Sequence, residues 1–270
     1  MLKLVVTDMD GTFLNGEEKI PERAFPLIKK LHEKGVKFAV ATGRQYNNVM
    51  KLYEDFDEEI IVMSDNGGIM YDDGEKTLLN AARSREELEQ VIQTVRSIDG
   101  ARLALAGVNS AYVFASDIDD KFSEEINFFF ETLTMIDSLD DIPEDELIFT
   151  ICVNHRDGSE KNLKPYFAHL EDKYKIVVSN PHWIDMMNPY VNKGRAVKMI
   201  QEKYDISYEE TMVFGDYLND VEMMQTAHYS YAMDNAHPDL KKIANFIAPS
   251  NVEEGVISVL ENFLSMAFKD

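Results

Sequence analysis

Two hydrophobic patterns alternate along the first part of the chain. Short continuous apolar runs, KLVVTD, VKFAVATGR and EIIVMSDNGG, are separated by stretches with helical spacing. These are PERAFPLIKKLHEKG, with Phe25, Ile28 and Leu31 on one side and a closing Gly35, and QYNNVMKLYEDF. Continuous apolar runs of this length suit strands covered on both faces, and the longer period suits amphipathic helices. Strand and helix in alternation predict parallel βαβ units.

The same alternation returns after Val191. NKGRAVKMIQEKYD, YLNDVEMMQTA, HPDLKKIA and EEGVISVLENFLSMAF read as helices, and TMVFGD, YSYAMD and FIAPS as strands. Between the halves the pattern changes. IMYDDGEKTLLN predicts a hairpin turning at Asp73-Gly74. Beyond it, the helical SREELEQVIQTVRSI and SEKNLKPYFAHLEDKY lie among the strand-like RLALAGV, AYVFAS, ELIFTICVN, KIVVS and HWIDMMN. The expectation is an α/β fold built on a parallel sheet over residues 1–82 and 188–270, split by an α+β unit over residues 83–187.

Composition narrows the function. The 270 residues carry a formal net charge of −22, which argues against nucleic acid or an anionic membrane as partner. No apolar stretch approaches the roughly 20 residues that span a bilayer, and the first residues lead into a strand without a signal-peptide layout. Cys152 is the only cysteine, so internal disulfides and cysteine zinc clusters are excluded. A lone thiol suits a reducing compartment, and the expectation is a cytoplasmic protein. Residues 117–146 hold twelve Asp or Glu with Lys121 as their only base, and read as a solvated face. The Phe128–Phe130 triplet within them reads as helix packing.

Chemistry gathers where the strands end. LVVTDMDGT delivers Asp8 and Asp10 with one residue between them, and alternate side chains of an extended strand face the same way. Both carboxylates are therefore expected to point together, a costly arrangement unless a cation or a shared proton relieves it. Asp216 and Asp220 follow the TMVFG strand and share one face if a helix starts at the turn. Such oxygen donors suit Mg²⁺, with Lys193 and Arg44 as cationic partners for a phosphoryl group. The Thr42 hydroxyl and the Gly43 amide can donate to its remaining oxygens. Taken singly, each reads as an ordinary turn, cap or solvated charge. Together they fall at the carboxyl edge of the predicted sheet, where open α/β folds bind ligands.

The set resembles the haloacid dehalogenase-like hydrolase superfamily, in particular its Cof-type phosphatases with an inserted α/β cap. DMDGTFL matches the first motif, ATGR the second, NKG the third and GDYLND the fourth, in family order. The resemblance implies a Rossmann-like core, with residues 83–187 as a cap that closes over a Mg²⁺-bound phosphorylated substrate. It implies Asp8 as nucleophile, forming an aspartyl-phosphate. Asp10 would be the acid–base that protonates the leaving group and then activates water. Metal ligation falls to Asp8, Asp216 and the Asp10 backbone carbonyl, with Asp220 positioning Lys193 or a metal-bound water. Phosphoryl contacts fall to Thr42, Gly43, Lys193 and Asn219, and Arg44 has a role that varies with substrate. Tyr217 and Asp234 depart from the family pattern without removing any of these groups.

The implied activity is Mg²⁺-dependent hydrolysis of a small phosphorylated metabolite, a sugar phosphate or a phosphorylated cofactor. A phosphosugar mutase such as phosphomannomutase and a catalytically idle phospho-ligand binding protein are the alternatives. Release of phosphate without isomer formation separates the first from the mutase. His182, Trp183 and Tyr190 are candidate leaving-group contacts that read equally well as structural.

Overall fold

The computed structural model describes residues 1–54, 59–78, 82–130 and 132–267. Two compact units emerge, Met1–Leu79 together with Val191–Asp270, and Asn80–Tyr190. An eight-stranded sheet organises the first. Its strands run in the order Phe246–Ala248, Tyr229–Met233, Thr211–Gly215, Leu4–Thr7, Lys37–Ala41, Ile61–Ser64, Ile69–Asp72 and Glu75–Leu78. The first six pair in parallel and the last two antiparallel. The Asp73-Gly74 hairpin therefore extends the parallel sheet, and both its turn residues adopt the positive φ that a tight two-residue connection needs.

Leu4–Thr7 is central, in register with Thr211–Phe214 on one side and Lys37–Val40 on the other. Leu4, Val5 and Val6 are all 0% exposed, and full burial of each such side chain contributes about 1.5–3 kcal/mol. Helices pack on the sheet through periodic apolar faces: Leu27, Ile28 and Leu31 of Ala24–Glu33, Ala196, Val197 and Ile200 of Lys193–Tyr204, and Val256, Ile257, Leu260 and Leu264 of Gly255–Ala267. From Leu4–Thr7 the chain winds outward first in one direction and later, from Thr211–Gly215, in the other. The carboxyl end of the central strand is thus the topological switch point, where a crevice opens in folds of this kind.

The second unit has a six-stranded sheet in the order Lys175–Asn180, Trp183–Met187, Ile148–His155, Ala101–Gly107, Ala111–Phe114 and Leu133–Ile136. Leu88, Val91 and Val95 of helix Arg85–Arg96 join Leu163 and Phe167 in one core, and Phe122 and Ile126 of helix Asp120–Phe129 belong to another. Phe130 is buried, and the side chains of Phe128 and Phe129 lie outside the described residues. Trp183 belongs to the second core, 4% exposed and stacked 5.9 Å from Phe122.

Several expectations are corrected. SEKNLKPYFAHLEDKY is broken into Ser159–Asn162, Lys164–Phe167 and a 3₁₀ turn at Ala168–Leu170. Pro165 lacks an N–H and its ring clashes with a helical carbonyl four residues back, so it interrupts a continuing helix and sits instead in the first turn of the next. YLNDVEMMQTA yields a 3₁₀ turn at Leu218–Asp220 and only a short helix, Val221–Met224. The acidic run is not a uniformly solvated face. Asp117 is buried against Arg96, Asp119 is shared by Arg102 and Arg156, and Glu146 accepts from the Tyr112 hydroxyl at 2.8 Å. Those bases and the tyrosine come from outside the run, so no local count of charge could reveal them. The end of QYNNVMKLYEDF falls on residues outside the described set, and its observed helix is Tyr46–Leu52. No helix among the described residues is long and apolar enough to cross a membrane.

Candidate active site

Asp8 leaves the central strand with its N–H donating to the Phe214 carbonyl at 3.0 Å and its side chain turned inward, 6% exposed. Lys193 meets it from the first turn of the Lys193–Tyr204 helix, whose N-terminus is capped by Asn192. The Lys193 ammonium is completely buried and donates to Asp8 Oδ1 at 2.6 Å and to Asp220 Oδ1 at 2.7 Å. The other Asp220 oxygen accepts the backbone N–H groups of Asp216 (3.0 Å) and Tyr217 (3.2 Å). Asp220 therefore holds Lys193 with one oxygen and shapes the turn carrying Asp216 with the other. The two carboxylates converge through this turn and not along a helix face.

Asp216 is fixed from the first strand's loop. The Thr12 hydroxyl donates to Asp216 Oδ1 at 3.1 Å. Gly11 has φ +74°, and a Cβ there would sit 2.4 Å from Asp216 Oδ2. The Gly11-Thr12 pair of DMDGT thus admits the carboxylate and then orients it. Gly11 is readable from the sequence as a turn residue, whereas the Thr12 contact with Asp216 spans 204 positions and leaves no local signal.

Asp8, Asp216 and Asp220 each bring a carboxylate oxygen to within 4.8 Å of the others. Burial pushes the Asp8 carboxyl well above the ordinary range, with Asp220 and Asp216 adding to the effect and Lys193 opposing it. Asp216 is pushed up to about 6, again by burial first and Asp220 second. Burial alone would push Lys193 down, but Asp220 and Asp8 outweigh it and hold the ammonium firmly charged.

Were all three carboxylates ionised beside the one ammonium, the group would carry two negative charges, the complement of one divalent cation. An all-oxygen donor set with this charge suits Mg²⁺. Asp10 contributes no carboxylate to the group. Strand geometry ends at Thr7, the chain enters a turn over Met9–Phe13, and the Asp10 side chain is 53% exposed. The expectation that Asp8 and Asp10 point together from a strand is therefore corrected: one is buried and the other faces solvent. Arg44 grips Asp10 through both oxygens, with Nε to Oδ2 at 2.9 Å and the second contact from Nη2 to Oδ1.

Thr42 directly follows the Lys37–Ala41 strand, 1% exposed. Its hydroxyl oxygen accepts the Arg44 N–H at 3.1 Å and keeps its own hydrogen as a donor. Gly43 is exposed beside it. Asn219 lies on the Leu218–Asp220 turn, and its Nδ2 donates to Asn66 Oδ1 at 3.0 Å. The structure thus gathers Asp8, Lys193, Asp216 and Asp220 into one contact set, Asp10 with Arg44 into a second, and Asn219 with Asn66 into a third.

The chain is similar to known proteins over nearly its whole length. The model of a family described as haloacid dehalogenase-like hydrolases matches residues 5–260. The 5-amino-6-(5-phospho-D-ribitylamino)uracil phosphatase YbjI of Escherichia coli (strain K12) is 28% identical over 265 residues, covering 97% of this chain and 96% of the relative. The protein of the same description from Bacillus subtilis (strain 168), YcsE, is 25% identical over 265 residues, again covering 97% and 96%. Among solved structures, SMU.1108c from Streptococcus mutans UA159 superposes with a TM-score of 0.86 at 27% identity, covering 98% of this chain and all of the other.

Proposed function

The chain belongs to the haloacid dehalogenase-like hydrolase family, and on that premise we propose that it is a Mg²⁺-dependent phosphomonoesterase acting on a small phosphorylated metabolite through an aspartyl-phosphate on Asp8. The observation that carries this reading is the buried Lys193 bridging Asp8 and Asp220 beside Asp216. A carboxylate poised to attack, a fixed ammonium and a divalent-cation site together meet the needs of phosphoryl transfer.

Mg²⁺ would be held by Asp8 and Asp216 with the Asp10 backbone carbonyl, and when bound it supplies positive charge that offsets the repulsion between Asp8 and a phosphate dianion. Asp220 serves by holding Lys193 and the turn. In the first displacement an Asp8 oxygen forms a bond to phosphorus while the bond from phosphorus to the leaving oxygen breaks. Lys193 holds Asp8 Oδ1, which leaves Oδ2 to attack. Lys193, the Thr42 hydroxyl, the Gly43 amide and Asn219 bind the three equatorial oxygens as charge spreads over them.

Asp10 donates its proton to the leaving oxygen, then takes a proton from the water that attacks phosphorus and releases Asp8. For this, Arg44 must let go of Asp10, and an incoming phosphoryl dianion offers the guanidinium a second bidentate partner. The domain assignment, a core over residues 1–82 and 188–270 with a cap over 83–187, is part of the same proposal, as is a cytoplasmic location. The ribityl phosphate named for two relatives makes phosphorylated sugars and cofactor precursors of that kind the leading substrate class.

The test is a panel of phosphorylated metabolites, led by p-nitrophenyl phosphate and including a ribityl phosphate, assayed with Mg²⁺. Phosphate release without isomer formation is expected. Asp8→Asn should lower it about ten-thousand-fold or more while the circular dichroism spectrum stays unchanged. Full activity in that variant would remove the nucleophile assignment.

A further inference from the structure

The turn after the Ile61–Ser64 strand supplies no group to the chemistry above, yet it touches the loops that do. Asp65, Asn66 and Gly67 have successive φ values of +53°, +55° and +90°. Two non-glycine residues in the left-handed region are costly, and such a conformation persists only where surrounding contacts impose it.

Those contacts are specific. The Asn66 N–H donates to the Thr42 carbonyl at 2.8 Å, and the Asp65 N–H to the Arg44 carbonyl at 3.1 Å. A Cβ on Gly43 would lie 3.4 Å from Asn66 Nδ2, so the Asn66 amide rests against that residue. A Cβ on Gly67 would lie 2.8 Å from the carbonyl oxygen of Asn192, the residue before Lys193. The Asn66 side chain reaches across to accept from Asn219 Nδ2 at 3.0 Å.

We propose that Asn66 is a positioning residue for phosphoryl binding, its amide oxygen fixing the Asn219 amide and tying the Thr42–Arg44 loop to the Leu218–Asp220 turn. The chemistry of the primary amide makes this a directional device. Asn219 Nδ2 carries two hydrogens, and committing one to Asn66 Oδ1 leaves the other aimed away from Asn66, available to a phosphoryl oxygen. Without that acceptor, the Asn219 amide is free to present its carbonyl oxygen to the phosphoryl group, which repels it. The inference rests on the phosphomonoesterase reading and deepens it.

Asn66→Gly separates the side chain from the backbone, since glycine adopts φ +55° without strain. Binding of inorganic phosphate in the presence of Mg²⁺, measured by calorimetry, is expected to weaken about fivefold to tenfold, the worth of one oriented hydrogen bond. KM for p-nitrophenyl phosphate should rise by a similar factor, with the thermal midpoint unchanged. Asn219→Ala should weaken phosphate binding too, and the double variant should be no worse than Asn219→Ala alone, because both changes remove one interaction.

Wild-type phosphate affinity in Asn66→Gly, or losses that multiply in the double variant, would overturn the inference while leaving the phosphatase reading intact. A wild-type protein that neither releases nor binds phosphate would overturn both.

Discussion

The Lys193 ammonium is drawn wholly out of solvent and stays charged because Asp8 and Asp220 lie 2.6 and 2.7 Å away. A buried ion left without its partners is severely penalised, so each member of this cluster depends on the others. Asp65 is a different case, a half-buried carboxyl with the Ser64 hydroxyl at 2.9 Å. Burial pushes it up to about 7 against the opposing effects of Ser64 and Lys76. Between about pH 4 and pH 7 the folded protein then holds a proton that the unfolded chain has lost. Stability from this group is fully present below about pH 4, falls as pH rises through 7, and is constant above. Asp65→Asn should therefore flatten that part of the stability profile, so that its advantage over wild type in urea melts grows from pH 5 to pH 8. An advantage that shrinks over the same range would refute the assignment.

Elements place these residues by ending where they do. The strands Leu4–Thr7, Lys37–Ala41 and Thr211–Gly215 are parallel and adjacent, so their carboxyl ends bring Asp8, Thr42 and Asp216 to one edge. The loop after the first strand then depends on one backbone conformation. Gly11→Ala places a methyl group in the left-handed region and against Asp216. The expected cost is about 2 kcal/mol or more of stability, together with a smaller rise in thermal midpoint on adding Mg²⁺. An unchanged Mg²⁺ response would separate Gly11 from the metal site.

Much of this edge was legible in the sequence because parallel strands announce themselves as apolar runs and the reactive residues follow each run directly. What was illegible depends on pairing across distance. Thr12 with Asp216, Arg44 with Asp10, and Asn66 with Asn219 each join loops far apart in sequence. The strand rule that put Asp8 and Asp10 side by side failed because the strand stops one residue before Asp8. The break at Pro165 was readable from that proline alone, and the helical period masked it.

At the scale of the whole molecule, a net charge of −22 opposes the approach of a phosphorylated substrate, and Lys193, Arg44 and the proposed Mg²⁺ are the positive groups that would offset it at the site. Capture is therefore expected to be slowed by the global field. Added monovalent salt screens that field beyond about 8–10 Å while leaving the buried contacts nearly untouched. KM for an anionic substrate should fall as ionic strength rises from low values toward 0.15 M, with kcat steady. A KM that climbs over this range would mean that a positive surface guides the substrate instead.

Passage of the phosphoryl group through Asp8 is the core of the proposed mechanism. It is tested most directly by mixing the Mg²⁺-loaded enzyme with p-nitrophenyl phosphate, quenching rapidly in acid and mapping the phosphorylated peptide by mass spectrometry. Asp10→Asn, expected to slow release, increases the trapped fraction. The expected result is an acyl phosphate on Asp8 that is absent from Asp8→Asn. Phosphate released at full rate by Asp8→Asn, or a phosphoryl group mapped to any other residue, would contradict it.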